Sequence, residues 1–160
     1  MNTVSPIIKR YGGFIDKYLG DGVLAVFSHP ENALDCAHQI VKAIEIKNKS
    51  LNDFNVDSSI SLHTGDVIFG IIGDEDRLTP TIVSDVVSFV EKQNQINNLL
   101  GSRLIFTKTL LSELPTKYKL YYRYVGSLSE KSAGQIGIFE SLEVYPKDKR
   151  EKLASLKSNF

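Results

Sequence analysis

The sequence predicts an α+β domain whose sheet is mainly antiparallel. Two β-rich runs meet at the tight turn Gly20-Asp21-Gly22, as they would in a hairpin. Further strand-like runs are interleaved with amphipathic helical stretches, and two more runs near the C-terminus are typical of closing antiparallel strands. Strands and hairpins interleaved with helices indicate the α+β class. A chain of 160 residues is long enough for one domain with its own core.

Each element follows from a local pattern. Ser28 is the predicted cap of a long helix, with Pro30 in its first turn and Glu31 three residues after the cap. A second long helix is predicted to stop at Gly101. In chain order we predict the end of a helix over 1–10, strands over 14–18 and 23–27, a helix from 28, a loop over 50–57, strands over 60–63 and 67–72 joined around 64–66, a loop over 73–76, a helix over 85–100, a strand over 104–106, a helix over 108–114, strands over 121–128 and 137–144, and a short helix in the tail. The domain is expected to span 1–146, followed by a charged C-terminal tail over 147–160.

Composition narrows the class of function. Lysine plus arginine equals aspartate plus glutamate at 19 each, so charge gives no argument for binding nucleic acid or an anionic membrane. No apolar run approaches the roughly 18 residues that span a bilayer, and the start has no signal-peptide pattern. The single Cys36 cannot form an internal disulfide, which fits a cytoplasmic protein, and its helical spacing indicates a packed core thiol.

The hairpin turn carries the first candidate site residue. A carboxylate at the tip of a rigid ribbon, Asp21, is well placed to hold a hard cation such as Mg²⁺. Aspartate is also common in ordinary turns, where it makes local hydrogen bonds. The turn alone favours the second interpretation.

Three segments together resemble the catalytic domain of class III nucleotidyl cyclases, which make cyclic AMP or cyclic GMP from a nucleoside triphosphate. The first is GGFIDKYLGDGVLAVF over 12–27, which resembles the family's metal-binding hairpin. The second is SLHTGDVIFGIIG over 61–73, which is similar to its histidine-threonine-glycine strands. The third is RLTPTIVSDVVS over 77–88, which is similar to the segment that opens its catalytic helix. Their order and spacing agree, and the resemblance covers about residues 5–145.

The resemblance implies a ferredoxin-like core that works as a head-to-tail dimer, either a homodimer or a pair with another cyclase domain, with two sites between the subunits. The family's opening strand, which carries its first metal-binding aspartate, has no counterpart here. That strand is central in a ferredoxin-like sheet, so its loss leaves unpaired edges. We therefore expect an open seam in the sheet, or its filling by the N-terminal segment or another chain.

Metal binding is expected to be weak or absent. By resemblance, Asp21 corresponds to the second of two aspartates that hold paired Mg²⁺ or Mn²⁺ ions for in-line displacement of pyrophosphate. Only 20 residues precede Asp21, and none fits the first aspartate's pattern. One carboxylate is a poor site for two neighbouring divalent ions.

Two residues match the family's base-recognition positions. Lys17 stands where adenylate cyclases carry the lysine that contacts adenine, and Thr81 occupies the partner position. An ammonium can donate to adenine N1, whereas guanine presents a donor at that edge. The pair therefore points to ATP over GTP. Without the resemblance, Lys17 would be taken for a solvated strand lysine.

Departures from the family concern the catalytic helix. Ser88 and Lys92 stand where the resemblance implies a ribose-orienting asparagine and a transition-state arginine. Serine is too short to replace the amide, and lysine lacks the planar fork that grips phosphate. Lys131 falls near a phosphate-contacting lysine, or is a surface lysine. His63 is expected to be structural, because no second histidine or cysteine lies nearby.

The resemblance thus implies an adenylate cyclase catalytic-domain homologue in intracellular signalling, converting ATP to cyclic AMP and pyrophosphate, with little or no activity by itself. The alternative is a non-catalytic pseudo-cyclase that dimerises and passes a signal to an attached domain. A third possibility is a generic ferredoxin-like binding module whose motifs survive only as packing residues.

Overall fold

The structure, a computed structural model, describes residues 3–50, 55–74, 77–131 and 133–156. Its helices and strands follow the predicted order along most of the chain. They are α1 (Val4–Arg10), β1 (Phe14–Leu19), β2 (Gly22–Val26), α2 (Pro30–Ser50), β3 (Ile60–Leu62), β4 (Ile68–Asp74), β5 (Arg77–Val83), α3 (Asp85–Leu100), β6 (Leu104–Thr107), α4 (Lys108–Glu113), β7 (Tyr122–Glu130), β8 (Gly134–Ser141) and α5 (Lys147–Ser155).

Within the described residues the strands form three separate sheets. The largest has the order β3-β6-β8-β7, and β1-β2 and β4-β5 are two-stranded ribbons. Among the strands that the structure describes, only β3 and β6 pair in parallel, and every other pair is antiparallel. The prediction of an α+β fold with a mainly antiparallel sheet is therefore confirmed.

The seam expected in the sheet lies between the β1-β2 ribbon and β3. The N–H of Ile60 donates to the carbonyl of Arg103 at 3.0 Å, so the edge of β3 to which this N–H points is paired with β6. Because backbone groups alternate along a strand, the polar groups of Ser61 point to the opposite edge. Among the described residues, no strand pairs with that edge. Among the described residues, β3 is thus an edge strand of the main sheet, and the open seam stays a prediction.

Two apolar clusters meet on α2 and position the sheets. One contains α2 residues that pack under β6 and the C-terminal segment, and the other joins α2 to α1 and the β1-β2 ribbon. Ile60 packs against both clusters, so the ribbon lies beside β3 although no strand ladder joins them. Burial of such aliphatic side chains contributes about 1.5–3 kcal/mol each. The buried members are Leu34, Ala37, Val41, Leu104, Phe106, Leu110, Val144 and Tyr145 in the first cluster, and Ile8, Cys36 and Ile40 in the second.

Several local predictions are wrong. Helix α2 begins at Pro30, so His29 rather than Ser28 precedes it, and the helix continues to Ser50. Strand β4 reaches Asp74, where a loop was predicted, while residues 51–54 and 75–76 lie outside the described residues. No element was predicted for residues 77–84; residues 77–83 form β5, which pairs with β4, and α3 begins two residues after its end. Pro80 fits within β5 because both strands of a two-stranded ribbon are edges.

The last hairpin also differs from its predicted bounds. Strand β8 begins at Gly134 and ends at Ser141, three residues earlier at each end than expected. The two long strands of the hairpin pair in antiparallel register from Tyr122–Ser141 to Glu130–Gly134.

Helix α3 ends before Gly101, whose φ of 61° fits the left-handed C-cap that glycine adopts without strain. That helix matches its predicted bounds.

Candidate functional site

The candidate site is built around an irregularity in β1. Ile15 pairs with Ala25 and Lys17 pairs with Leu24, so Asp16 is an extra residue in the ladder. Such a bulge re-aims side chains that would otherwise point to opposite faces of the strand. As a result the Lys17 ammonium lies 3.2 Å from Oδ2 of Asp16. The Asp16 side chain is 1% exposed, and that of Lys17 is 38% exposed, so water still reaches the ammonium.

Asp16 also ties β1 to β5. Its Oδ1 accepts a hydrogen bond from the backbone N–H of Ile82 at 3.1 Å. Ile82 directly follows Thr81, which is half-buried and pairs with Gly70 in the β4-β5 ribbon. The Phe14 and Phe69 rings make an edge-to-face contact between the two ribbons, with centroids 6.0 Å apart. The structure therefore brings the strands of Lys17 and Thr81 together through one carboxylate.

The second oxygen of Asp16 is incompletely satisfied. Its 3.2 Å approach to Lys17 is an ion-pair distance, but the geometry is not that of an aligned hydrogen bond, and Oδ2 has no hydrogen-bond partner among the described residues. We regard the contact as an ion pair of modest strength, since the lysine end is partly solvated. Buried, partly unpaired carboxylates are rare enough to call for an explanation.

Asp21 occupies the tip of the hairpin. Gly20 is the first of the two central residues of the turn and has a positive φ of 63°. A type II′ turn requires glycine at this position. Asp21 is exposed there. Within the described residues, no three histidine, cysteine, aspartate or glutamate side chains are grouped so as to hold a metal ion. Asp21 alone therefore does not fit a centre for two divalent ions.

Helix α3 carries Ser88 and Lys92, the two residues that differ from those that the resemblance implies at these positions. Ser84 caps it by accepting from the N–H of Val86 at 3.2 Å and anchors it by donating to the carbonyl of Asp66 at 2.8 Å. Ser88 and Lys92 are exposed and lie one turn apart on the same face. A hydroxyl and an ammonium displayed in this way can meet an anionic ligand, although the described contacts do not join them to Lys17.

The buried face of α3 fixes its position against β3. Gln93 and Asn97 are fully buried, and their amide nitrogens donate to the carbonyls of Leu62 at 3.1 Å and Ile60 at 2.8 Å. Four residues before Gln93, Phe89 packs its ring against His63 with centroids 4.5 Å apart. These contacts set which face of α3 is presented to solvent. Sequence reasoning missed these paired amides, whose four-residue spacing places them on one face of the helix.

His63 lies in a hydrogen-bonded cluster. Its Nδ1 is 3.0 Å from Oγ1 of Thr107 and 3.1 Å from Oγ1 of Thr109, which also contact each other at 2.7 Å. Desolvation lowers the pKa of His63 from its ordinary value, while the charge of Glu130 opposes that shift. A neutral imidazole bonded to hydroxyls and packed on Phe89 supports the structural role expected for it.

Lys131 stands in the turn between β7 and β8 and is exposed. No described contact joins it to the other candidate residues, so its assignment stays a prediction.

Asp16 is the residue that sequence reasoning missed. A possible signal was the adjacent apolar pair Phe14 and Ile15, which breaks strict alternation and so hints at a bulge nearby.

The fold is that of nucleotidyl cyclase catalytic domains. The solved structure of a bacterial light-regulated adenylyl cyclase matches the chain with a TM-score of 0.76 and 20% sequence identity. The match covers 95% of this chain and 46% of that one. At this identity the likeness establishes the fold alone.

Sequence comparison finds relatives that are adenylate cyclases. The chain is 29% identical over 154 residues to the terminal-differentiation-specific adenylate cyclase of Dictyostelium discoideum, and 26% identical over 152 residues to the adenylate cyclase of Anabaena cylindrica. These alignments cover 91% and 86% of this chain but span only 7% and 28% of those relatives. No protein-family model matches the chain. The resemblance to class III cyclases is nevertheless confirmed over most of its length.

Among the described residues, no helix combines the length and apolar character needed to cross a membrane.

Proposed function

We propose that this chain is an adenylate cyclase catalytic-domain homologue that binds adenine nucleotide and by itself converts little or none of it to cyclic AMP and pyrophosphate. The observation that carries the proposal is the link from Lys17 through Asp16 to the backbone beside Thr81. It joins the strand of the Lys17 ammonium to the strand of Thr81, whose hydroxyl can both donate and accept. Adenine presents an acceptor at N1 and a donor at N6, and this pair complements it.

Base preference gives a direct test of binding. Calorimetric titration of the chain with ATP and GTP should show tighter binding of ATP by about tenfold, the scale of one hydrogen bond to a charged group. Lys17→Glu removes the donor and supplies acceptors, so it should abolish the preference. Lys152→Glu makes the same charge change on an exposed position of α5 and serves as the matched control. Equal binding of both nucleotides by the unaltered chain would contradict the proposal.

Low turnover follows from the two residues that stand, by resemblance, at the ribose-orienting position and at the α-phosphate position of the catalytic helix. Ser88 is too short to reach as an asparagine amide would, and Lys92 offers a point charge in place of a bidentate fork. Loss of preorganised transition-state charge stabilisation costs on the order of a hundredfold or more in rate. Asp21 is proposed as a single, weak ligand for Mg²⁺ or Mn²⁺, since the described residues contain no group of three side chains that could hold a metal ion.

The activity assay is separate from the binding assay. Purified chain with Mn²⁺ and ATP should form cyclic AMP at the background rate, and Asp21→Ala should leave that rate unchanged. Turnover above background that Asp21→Ala abolishes would refute the inactivity. It would also show that the described residues hold a working metal centre.

The same proposal includes dimerisation, either as a homodimer or with a partner cyclase domain. The β4-β5 ribbon carries large apolar side chains on the surface: Ile68 is 71% exposed, Ile71 70%, Phe69 58% and Val83 56%. Apolar side chains grouped in this way mark interaction surfaces. Sedimentation should show a dimer that Ile68→Lys weakens, whereas Ile46→Lys, at an exposed position on α2, should not.

The apolar ribbon also favours the second candidate function, a non-catalytic pseudo-cyclase module that dimerises and relays a signal. Calorimetry separates the two candidates, because this module would dimerise through the ribbon without binding ATP. A monomer that binds ATP would exclude it.

We propose that the cyclase-like domain spans residues 1–146 and that the 147–160 segment is an appended tail. Helix α5 of that segment rests on the domain: Leu153 packs against the first core cluster, and the Lys149 ammonium lies 4.5 Å from the Tyr145 ring centre. A cytoplasmic setting belongs to the same proposal, supported by the free, buried Cys36.

A further inference from the structure

The buried carboxylate of Asp16 is costly for the fold. Removing a carboxylate from water is unfavourable unless charge and hydrogen bonds compensate for the loss. At Asp16 the compensation is one backbone N–H, that of Ile82, and one partly solvated ammonium, that of Lys17. Its Oδ2 lacks any hydrogen-bond partner among the described residues. Stability alone is therefore a weak reason for this carboxylate.

The backbone is irregular at the same residue. In a regular strand, neighbours project from opposite faces, so residues 16 and 17 would not meet. The one-residue bulge between Ile15 and Lys17 changes that and lets the two side chains approach to 3.2 Å. Bulges next to binding sites commonly re-aim side chains in this manner.

One carboxylate thereby fixes two separate parts of the site. Its Oδ1 accepts from the β5 backbone at Ile82, one residue from Thr81, and its Oδ2 lies 3.2 Å from the Lys17 ammonium. Recognition by hydrogen bonds requires donor and acceptor to be held within about 0.5 Å of the productive geometry. Lysine, with its flexible stem, has no such restraint of its own.

We propose that Asp16 is a positioning residue that sets Lys17 and Thr81 as one base-reading unit, so that selection of an adenine over a guanine nucleotide depends on it. The inference rests on the proposed function and names a determinant of that site's specificity. An ammonium held toward the base edge donates to adenine N1 but faces the N1–H donor of guanine. Release of the ammonium should therefore weaken ATP binding more than GTP binding.

The first experiment needs no nucleotide. Asp16→Asn keeps an acceptor for the Ile82 N–H but removes the charge that restrains Lys17, whereas Asp16→Ala removes both. Hydrogen exchange at the Ile82 amide should stay slow in Asp16→Asn and become fast in Asp16→Ala. Reductive methylation followed by mass spectrometry should show faster labelling of Lys17 in both variants, with exposed Lys42 on α2 as the internal reference. Unchanged labelling of Lys17 would overturn the proposal.

The second experiment measures base preference. In Asp16→Asn the affinity for ATP should fall by about tenfold with little change for GTP, since one charge-assisted hydrogen bond to the base is no longer preorganised. Asp16→Glu should restore part of the preference. A structural defect alone would lower both affinities together, and an unchanged ATP-to-GTP ratio in Asp16→Asn would overturn the inference.

The two proposals fail in different ways. If the unaltered chain prefers ATP and Asp16→Asn keeps that preference, the inference on Asp16 is wrong and the proposed function stands. If the unaltered chain binds neither nucleotide, the proposed function is wrong and the role of Asp16 in base selection is wrong with it. The labelling of Lys17 then shows only whether the ion pair exists.

Discussion

The cross-strand ion pair between Arg123 and Glu140 allows a quantitative test of how the main sheet is stabilised. The two residues lie directly opposite each other on β7 and β8, and Nε of Arg123 donates to Oε2 of Glu140 at 2.6 Å. The other carboxylate oxygen accepts from the hydroxyl of Tyr145 at 2.7 Å. The Glu140 side chain is 3% exposed and that of Arg123 25% exposed. Glu140 is thus a buried charge with one cationic partner.

Arg123→Met keeps most of the apolar stem and removes only the guanidinium. Loss of one partner of a buried pair costs about 3–5 kcal/mol, because an uncompensated charge stays behind. The partial exposure of Arg123 reduces that figure, so we expect a loss of about 2–3 kcal/mol in the free energy of unfolding. For a chain of this size that loss corresponds to a fall of about 5–10 °C in Tm.

Urea unfolding followed by circular dichroism measures the loss, and a second substitution tests its cause. Glu140→Gln in the Arg123→Met background leaves no buried charge, so the double variant should recover part of the stability. This gain would be non-additive, as expected for residues in contact. Two results would refute the reasoning. One is a free energy of unfolding for Arg123→Met within about 0.5 kcal/mol of the unaltered chain, which is the range of ordinary surface substitutions. The other is a double variant less stable than the single variant.

Three further outcomes are expected. Gly13→Ala should lower stability by about 1–3 kcal/mol, because the added Cβ would lie 2.6 Å from the Phe27 ring. Gly70→Ala should change stability little, because an added Cβ there meets no atom within 4 Å. Thermal unfolding of the two variants measures the difference. Cys36 should react with a thiol reagent only as the chain unfolds, because burial leaves it 1% exposed and raises its pKa to about 11; rapid labelling of the native chain would contradict this. The fold lowers the pKa of His63 below its ordinary value of 6.5, so the unfolded chain binds more protons as the pH falls. Part of the stability present above pH 6.5 should therefore be lost as the pH falls through the folded pKa. His63→Gln should flatten this dependence in unfolding titrations at several pH values, and an unaltered slope would contradict it.

Elements with strong local signals could be predicted from the sequence. Helix α3 is one, because its apolar spacing, the Asp85 start and the Gly101 stop all act within a few residues. The hairpin at Gly20 is another. The partners of the strands could not be predicted in the same way, because pairing joins distant segments. Thus β3 pairs in parallel with β6, more than 40 residues away, rather than with the neighbouring β4.

For the site, the sequence supplied the positions of Lys17 and Thr81 only through the resemblance to cyclases. Neither residue stands out from composition or periodicity. The link between them could not be found in this way, because Asp16 acts through a bulge and through a backbone N–H on a strand 66 residues away. Side-chain direction at a bulge depends on the register of the partner strand, which the local sequence does not encode.

In the proposed function, the β1 bulge and the adjoining β5 backbone form a base-reading site for adenine nucleotide. An amide NMR titration of the full chain with ATP, with GTP in parallel, tests it most directly. We expect the largest ATP-induced shifts at Lys17, Thr81 and Ile82, with smaller shifts for GTP. Shifts that avoid these residues, or that are the same for both nucleotides, would contradict the claim.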